Sequence, residues 1–422
     1  MTWFTTSSDN FHRPFPHLLL SPSSSPMPPT TTTAADTISG NESLLIEILL
    51  RIPARRLFKL TVVCKYWHHL ISSPLFIHHH SLRRHQSPIS GIFLYRWSTS
   101  LFHHFSFENH ENNDIDDHPL PSDLLNDRSI KILQSCNGLL LCNSDDRFFV
   151  LNPTKGKSAS IPPPPSDSDY FNPVRHLCLA FDPSHSPAYT IVSVSESISR
   201  IHRFAIRIYN PQSRNWRFAG DEFTAPLDLT FTGGVYWNRN IHWIGPRGSG
   251  LRFNLDREKI LPMPTVQSIR SRKWRLFEAA GGGLYLVEIY GGACGGAWGS
   301  ETVVVMEMGR EYENWIVKYK VDLGAMMMTT SFEGGGGVVR RRDDACGGMY
   351  RAWHVMCVWK IGEEDLRLVV RVLGRMVWVC LRDGKVIDIG RFGKEFGGAG
   401  GGDGKEFDWV DVFPYVESPV CP

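Results

Sequence analysis

An asparagine ends an apolar run at three places in this chain. "FFVLNPTKG", "IRIYNPQSRNW" and "LRFNLDREK" carry it at Asn152, Asn210 and Asn254. Each run is short and β-like, and each is followed by a polar turn and another run. Asparagine suits such an exit because its side chain bonds its own backbone and tolerates positive φ, and a following proline presets φ. The spacing of roughly forty to sixty residues leaves room for about four short strands per repeat. Further hairpins fit the same scheme. "GGVYWNRNIHWIG" turns at Asn238-Arg239-Asn240, "LLLCNSDDRFFVLN" at Ser144-Asp145-Asp146 and "RMVWVCLRDGKVIDIG" at Asp383-Gly384. "ETVVVMEMGREYENWIVKYKVDL" adds another pair of strands. One hairpin alone leaves a hydrophobic face bare, and radial stacking of four-stranded blades buries it. A β-propeller-like region is therefore expected from about residue 90 to 422; a Greek-key sandwich, which uses similar turns, is the competing arrangement.

Residues 41–86 follow a different period. In "NESLLIEILLRIP", Leu45, Ile48, Leu49 and Ile52 fall on one helical face, Asn41 is placed to cap the helix, and Pro53 ends it. "LFKLTVVCKYWHHLI" puts Leu60, Val63, Cys64, Trp67, Leu70 and Ile71 at helical spacing, which predicts a second helix closed at Pro74. "PLFIHHHS" predicts one further short turn. Two or three helices in some forty-five residues bury too little to stand alone. Leu44, Leu45, Ile48 and Leu49 form a wider apolar face than one buried stripe needs, so a protein partner is expected to cover the excess.

Composition narrows the function classes. The net charge of +2 gives no general pull toward nucleic acid or an anionic membrane. Nine cysteines without a CxxC argue against a disulfide framework and a zinc ribbon, and for a reducing compartment, cytoplasm or nucleus. No apolar run reaches the length of a membrane span; "LRLVVRVLGRMVWVCL" is interrupted by Arg371 and Arg375. Residues 1–40, rich in Ser, Thr and Pro, read as a disordered leader, with an organelle transit peptide as the alternative.

Several chemical signals are set aside. Cys64 and His68 stand one turn apart, as two metal ligands can. Cys64 falls on the apolar stripe, however, and the other histidines lack ligand spacing, so a packed helix with solvated histidines is expected. Gly156-Lys157-Ser158 lacks the earlier glycine of a phosphate loop, since Leu151 stands there. Glu363-Glu364-Asp365 and the run "VRRRDDAC" read as a solvated turn and a self-neutralised loop. No nucleophile–base–orienter set is legible. No cofactor and no metal are expected.

With these residues in view, "LLIEILLRIPARRLFKLTVVCKYWHHLISSPLFIHHH" resembles an F-box of the kind common in plants. Glu47-Ile48-Leu49, Arg51-Ile52-Pro53, Leu57, Val63-Cys64-Lys65, Trp67, Leu70-Ile71, Pro74, Phe76 and His79 fit the family pattern, while "ISGNESL" replaces its usual opening Leu-Pro. "SCNGLLLC", "YNPQSRNW", "GGVYWNRNIHWI" and "DVFPYVESPV" are together similar to the F-box-associated, kelch-like region of such proteins. The resemblance implies an α+β multidomain chain: a leader at 1–40, a small helical F-box at 41–86, and a large all-β propeller-like domain at 90–422.

It also implies a non-catalytic substrate-recognition subunit of a Skp–cullin–F-box ubiquitin ligase. Its partners would be a Skp-type adaptor, through it cullin and RING subunits, and an unknown target protein, with no nucleic acid or membrane. The implied adaptor contact is Leu44, Leu45, Ile48, Leu49, Pro53 and Leu57, with Val63, Trp67, Leu70 and Ile71 packing the helices or completing it. The alternatives are a stand-alone propeller enzyme or lectin, or an F-box protein acting outside a ligase.

Overall fold

In the computed structural model the described residues are 41–422, apart from 85–88, 97–100, 108–129, 146, 166–175, 199, 267–271, 292–300, 324, 327–352, 363, 373–374, 392–409 and 421. The expected leader, the "VRRRDDAC" run and the glycine-dense loops lie outside them. The chain divides into two compact units, Met1–Ile46 and Glu47–Pro422. The helices after the first belong to the same unit as the β region.

Four helices precede the strands: α1 (Glu42–Leu49), α2 (Ala54–Leu60), α3 (Lys65–Ser72) and α4 (Pro74–Arg84). Asn41 caps α1, its Oδ1 accepting the amide of Leu44 at 3.1 Å. Pro53, at φ −53° and ψ 143°, stands at the N-cap of α2. The single helix expected from Leu60 to Ile71 is broken. The β-branched run Thr61-Val62-Val63 favours leaving the helix, and Thr61 Oγ1 donates back to the Phe58 carbonyl at 2.6 Å. Cys64 is extended, at φ −159° and ψ 165°, and caps α3. The last helical segment is longer than the expected turn. Ser73 caps it, accepting the amide of Phe76 at 3.2 Å, and Pro74 occupies the first helical position, where its missing N–H costs nothing.

The β region is a six-bladed propeller. Blade I spans 130–161, blade II 176–218, blade III 235–262, blade IV 272–322 and blade V 353–391, each an antiparallel four-stranded meander. Blade II carries an extra short strand, Phe223–Thr224, beside its third strand. Blade VI joins the ends of the β region: the late strand Val410–Tyr415 pairs with Gly91–Arg96, which pairs with Leu101–Ser106. The six inner strands form a closed ring: Ile130–Cys136, His176–Ala180, Val235–Trp237, Arg272–Ala280, Trp353–Ile361 and Val410–Tyr415. The sandwich alternative is thereby excluded.

Each blade buries both faces, which explains why its middle strands read as unbroken apolar runs. In "LLLC", Leu139 and Leu141 pack into the seam between blades I and II, while Leu140 and Cys142 pack into the seam between VI and I. Leu368 and Val370 likewise face blade IV while Val369 faces blade VI. The period of two thus sorts one sequence run into two cores.

The three exit asparagines are structurally equivalent. Each ends the third strand of its blade and accepts a backbone N–H of the following turn: Asn152 from Lys155 at 3.3 Å, Asn210 from Gln212 at 2.8 Å and Asn254 from Arg257 at 2.8 Å.

Candidate functional site

All the turns joining first to second strands lie at one end of the ring. Asn137 donates to the Phe181 carbonyl at 2.6 Å, Trp237 Nε1 to the Gly282 carbonyl at 2.9 Å, and Gly281 abuts Lys360. The helices α2–α4 sit at this same end. The Arg55 amide donates to Glu417, Lys155 lies 4.8 Å from the Phe58 ring centroid, and Ile77 packs on the core of blades I and II. Together with the inner strands, His80 and Ser81 of α4 line a cavity of about 330 Å³ in the centre of the ring. His80 is fully buried, with Nε2 3.0 Å from the Ile52 carbonyl and its ring stacked on Phe76. This corrects the expectation of solvated histidines; His68, His69 and His79 are exposed, and His78 is half-buried.

Burial divides the expected adaptor set. Leu45, Leu49, Leu57 and Ile71 are buried inside the chain at 2% exposure or less. Pro53, Trp67 and Leu70 are half-buried. Leu44 (41%), Ile48 (38%) and Val63 (59%) are exposed. Cys64, expected on the buried stripe, is exposed, and its Sγ accepts the Trp67 amide at 3.5 Å. The break after Leu60 causes this, because it rotates Val63 and Cys64 off the face they would occupy in one continuous helix.

Further exposed apolar residues of the helical head lie outside the expected set. Val62, in the turn, is 84% exposed; Tyr66 in the first turn of α3 and Leu75 at the start of α4 are exposed as well. The β-branched run was the available signal. A bidentate ion pair braces the outside of the helices, with Arg83 Nη2 at 2.9 and 2.6 Å from the two Glu47 carboxylate oxygens.

The opposite end of the propeller carries the second-to-third-strand turns and the connections between blades. There the hairpin turn of blade II exposes Ile198 and Ile201. Leu227, also exposed, follows the extra strand that pairs with Arg203 and Phe204, and Arg200 pairs with Glu222 at 3.3 Å, so both segments meet at that end. Phe204, Phe223, Phe231 and Trp243 form a continuous aromatic cluster there through tilted and edge-on contacts.

Two titratable groups within the propeller are displaced from their ordinary range: Glu278, half-buried on an inner strand, and His242, fully buried on the second strand of blade III. Burial pushes the Glu278 carboxyl up to about 8, against the lowering effect of the Val358 amide that it accepts at 2.8 Å. Burial pushes His242 down to about 3; its Nδ1 lies 3.0 Å from the Val235 carbonyl and its Nε2 2.9 Å from the Tyr312 hydroxyl.

Fold and surface together define a six-bladed β-propeller headed by a helical segment with aliphatic residues left open. Comparison with known proteins agrees. Residues 41–79 match the F-box domain family, and residues 92–277 match the F-box associated beta propeller domain family. The chain is 27% identical over 320 residues to the F-box protein At5g07610 of Arabidopsis thaliana, covering 69% of this chain and 73% of that one. It is 29% identical over 228 residues to the putative F-box/kelch-repeat protein At3g17570 of the same plant, covering 50% and 56%. The chain thus spans little more than half the length of that second relative. Among solved structures, an oligogalacturonate lyase in complex with manganese aligns over 60% of this chain and 62% of its own, at 8% identity and a TM-score of 0.34, a likeness that carries no argument. The chain thus carries a match to the F-box domain followed by a match to the F-box-associated propeller, and is similar along most of its length to a plant F-box protein.

Proposed function

We propose that the chain is the substrate-recognition subunit of a Skp–cullin–F-box ubiquitin ligase, a receptor that makes and breaks no covalent bond itself. The observation that carries this reading is the set of apolar residues left exposed on the helical head while Leu45, Leu49, Leu50 and Leu57 are buried: Ile48, Val62, Val63, Tyr66 and Leu75. A Skp-type adaptor would cover that set, and through it cullin and RING subunits would be engaged. A target protein would dock at the far end of the propeller, with Ile198, Ile201 and Leu227 as apolar anchors. Catalysis would then come from proximity, since tethering raises the local concentration of target lysines near the charged carrier enzyme. We take the compartment to be cytoplasm or nucleus, which the six free cysteines among the described residues support.

The test is capture of the chain by a purified Skp-type adaptor, comparing wild type with Ile48→Asp and Val63→Asp. Wild type should bind, and both variants should lose binding while keeping the wild-type melting temperature. Failure of the folded wild type to bind would overturn the reading. Reconstituted ubiquitination with an identified target would then separate ligase action from action outside a ligase.

A further inference from the structure

Blades I and IV reach their neighbours from the same position. Gln134 lies three residues before the Asn137-Gly138 turn and pairs across its blade with Leu141. Glu278 lies three residues before the Gly281-Gly282 turn and pairs with Tyr285. Leu141 and Tyr285 each lie two residues into the second strand, so the two positions correspond. Gln134 clasps blade II at both ends of its amide. Its Oε1 accepts the Leu179 amide at 2.7 Å and its Nε2 donates to the Leu179 carbonyl at 2.9 Å. Glu278 makes the first half of that clasp on blade V, accepting the Val358 amide. A carboxylate cannot make the second half, because it has no proton to donate.

We propose that Glu278 is carried as the neutral acid and closes the seam between blades IV and V as Gln134 closes that between I and II, donating its proton to the Val358 carbonyl. The clasp opens when the proton is lost, which makes this seam sensitive to alkaline pH. The surroundings favour the acid. Lys360 of blade V, the nearest cation along the same inner strand, is turned toward Glu307, at 3.8 Å, and the Tyr285 ring. Cys357 beside Val358 is a buried thiol held well above its ordinary titration range by burial and by Glu278 itself. Of the other groups lining the cavity, Glu417 accepts the Arg55 amide, His80 meets the Ile52 carbonyl, and Tyr236 is a phenol pushed further up by burial. Among the described residues, burial and the Val358 amide are what act on the Glu278 carboxyl.

The test compares the pH dependence of chemical unfolding for the full chain and for Glu278→Gln and Gln134→Glu. A proton held only in the folded state makes the logarithm of the unfolding constant rise with pH by about one per unit between the unfolded and folded titration points. Wild type should therefore show about one unit more slope than Glu278→Gln between pH 5 and 8, and Gln134→Glu should gain a similar slope. Infrared titration of wild type should show one protonated buried carboxyl that Glu278→Gln lacks. Parallel unfolding profiles for wild type and Glu278→Gln, or no protonated carboxyl at neutral pH, would overturn the proposal.

Discussion

The backbone amide of Arg55 donates to Glu417 Oε2 at 3.0 Å, joining positions 362 residues apart. This bond ties α2 to the segment that leaves the last inner strand, and Glu417 is itself buried, with its own amide donating to Ser90 Oγ at 3.2 Å. Glu417→Ala removes a charged acceptor from a partly buried N–H and should cost about 1–3 kcal/mol. Urea unfolding should show a lowered midpoint, and α2 and α3 should become the first sites of limited proteolysis. Glu417→Gln keeps an acceptor and should cost less than half as much.

Neighbouring residues of α1 should respond in opposite ways. Leu49 is fully buried, and Leu49→Ala should cost about 2–5 kcal/mol through the cavity it leaves. Ile48 is exposed, and Ile48→Ala should change stability by no more than about 0.5 kcal/mol. Thermal melting followed by circular dichroism distinguishes the two. Loss of adaptor binding in Leu49→Asp would therefore report unfolding, whereas loss in Ile48→Asp at an unchanged melting temperature reports the surface.

The exit asparagines share one motif but not one cost. Asn152 is fully buried and also donates to the carbonyls of Ser418, at 3.0 Å, and Val420, at 2.6 Å. Asn152→Ala should cost about 2–4 kcal/mol, because several buried groups lose partners. Asn210 is exposed and serves only its own turn, so Asn210→Ala should cost under about 1 kcal/mol. Denaturant midpoints of the two variants check the difference.

His242 should make the fold acid-sensitive. Its folded value near 3 lies below its ordinary 6.5, so the folded state resists the proton that the unfolded state takes. The contribution is complete above pH 6.5 and is lost as pH falls toward 3, at up to about 1.4 kcal/mol per unit. Denaturant midpoints between about pH 7.5 and 4.5 should fall more steeply in wild type than in His242→Gln. Equal slopes would mean that the imidazole is not held neutral.

Much of the blade pattern was legible because a strand writes its two faces into alternate residues. Asn152, Asn210 and Asn254 could be recognised as equivalent exits since each serves a turn only two or three residues away. The helical head was harder to read. Periodicity places Leu60, Val63 and Cys64 on one stripe only if the helix is continuous, and the local bonds of Thr61 and Cys64 interrupt it. Leu45 and Leu49 could not be told from Leu44 and Ile48 by pattern alone, since all four satisfy an apolar face. His80 read as one of a polar triplet, and only the packing of α4 over the central cavity shows it buried.

The sequence by itself determined what depends on near neighbours: the strand runs, their turns, the helix caps and the two motifs that mark the family. The tertiary structure decided which of these meet. "SCNG" and "DVFPYVESPV" lie nearly three hundred residues apart, yet Gly138, at φ +88°, leaves no room for a Cβ against Val416 and Ser418. Asn152 holds the end of that same late segment, at Ser418 and Val420. The late strand Val410–Tyr415 completes the ring beside Gly91–Arg96, and the helices settle on the end where that closure occurs. Such pairings are set by the shape and polarity of whole faces, which form only when the chain has closed upon itself.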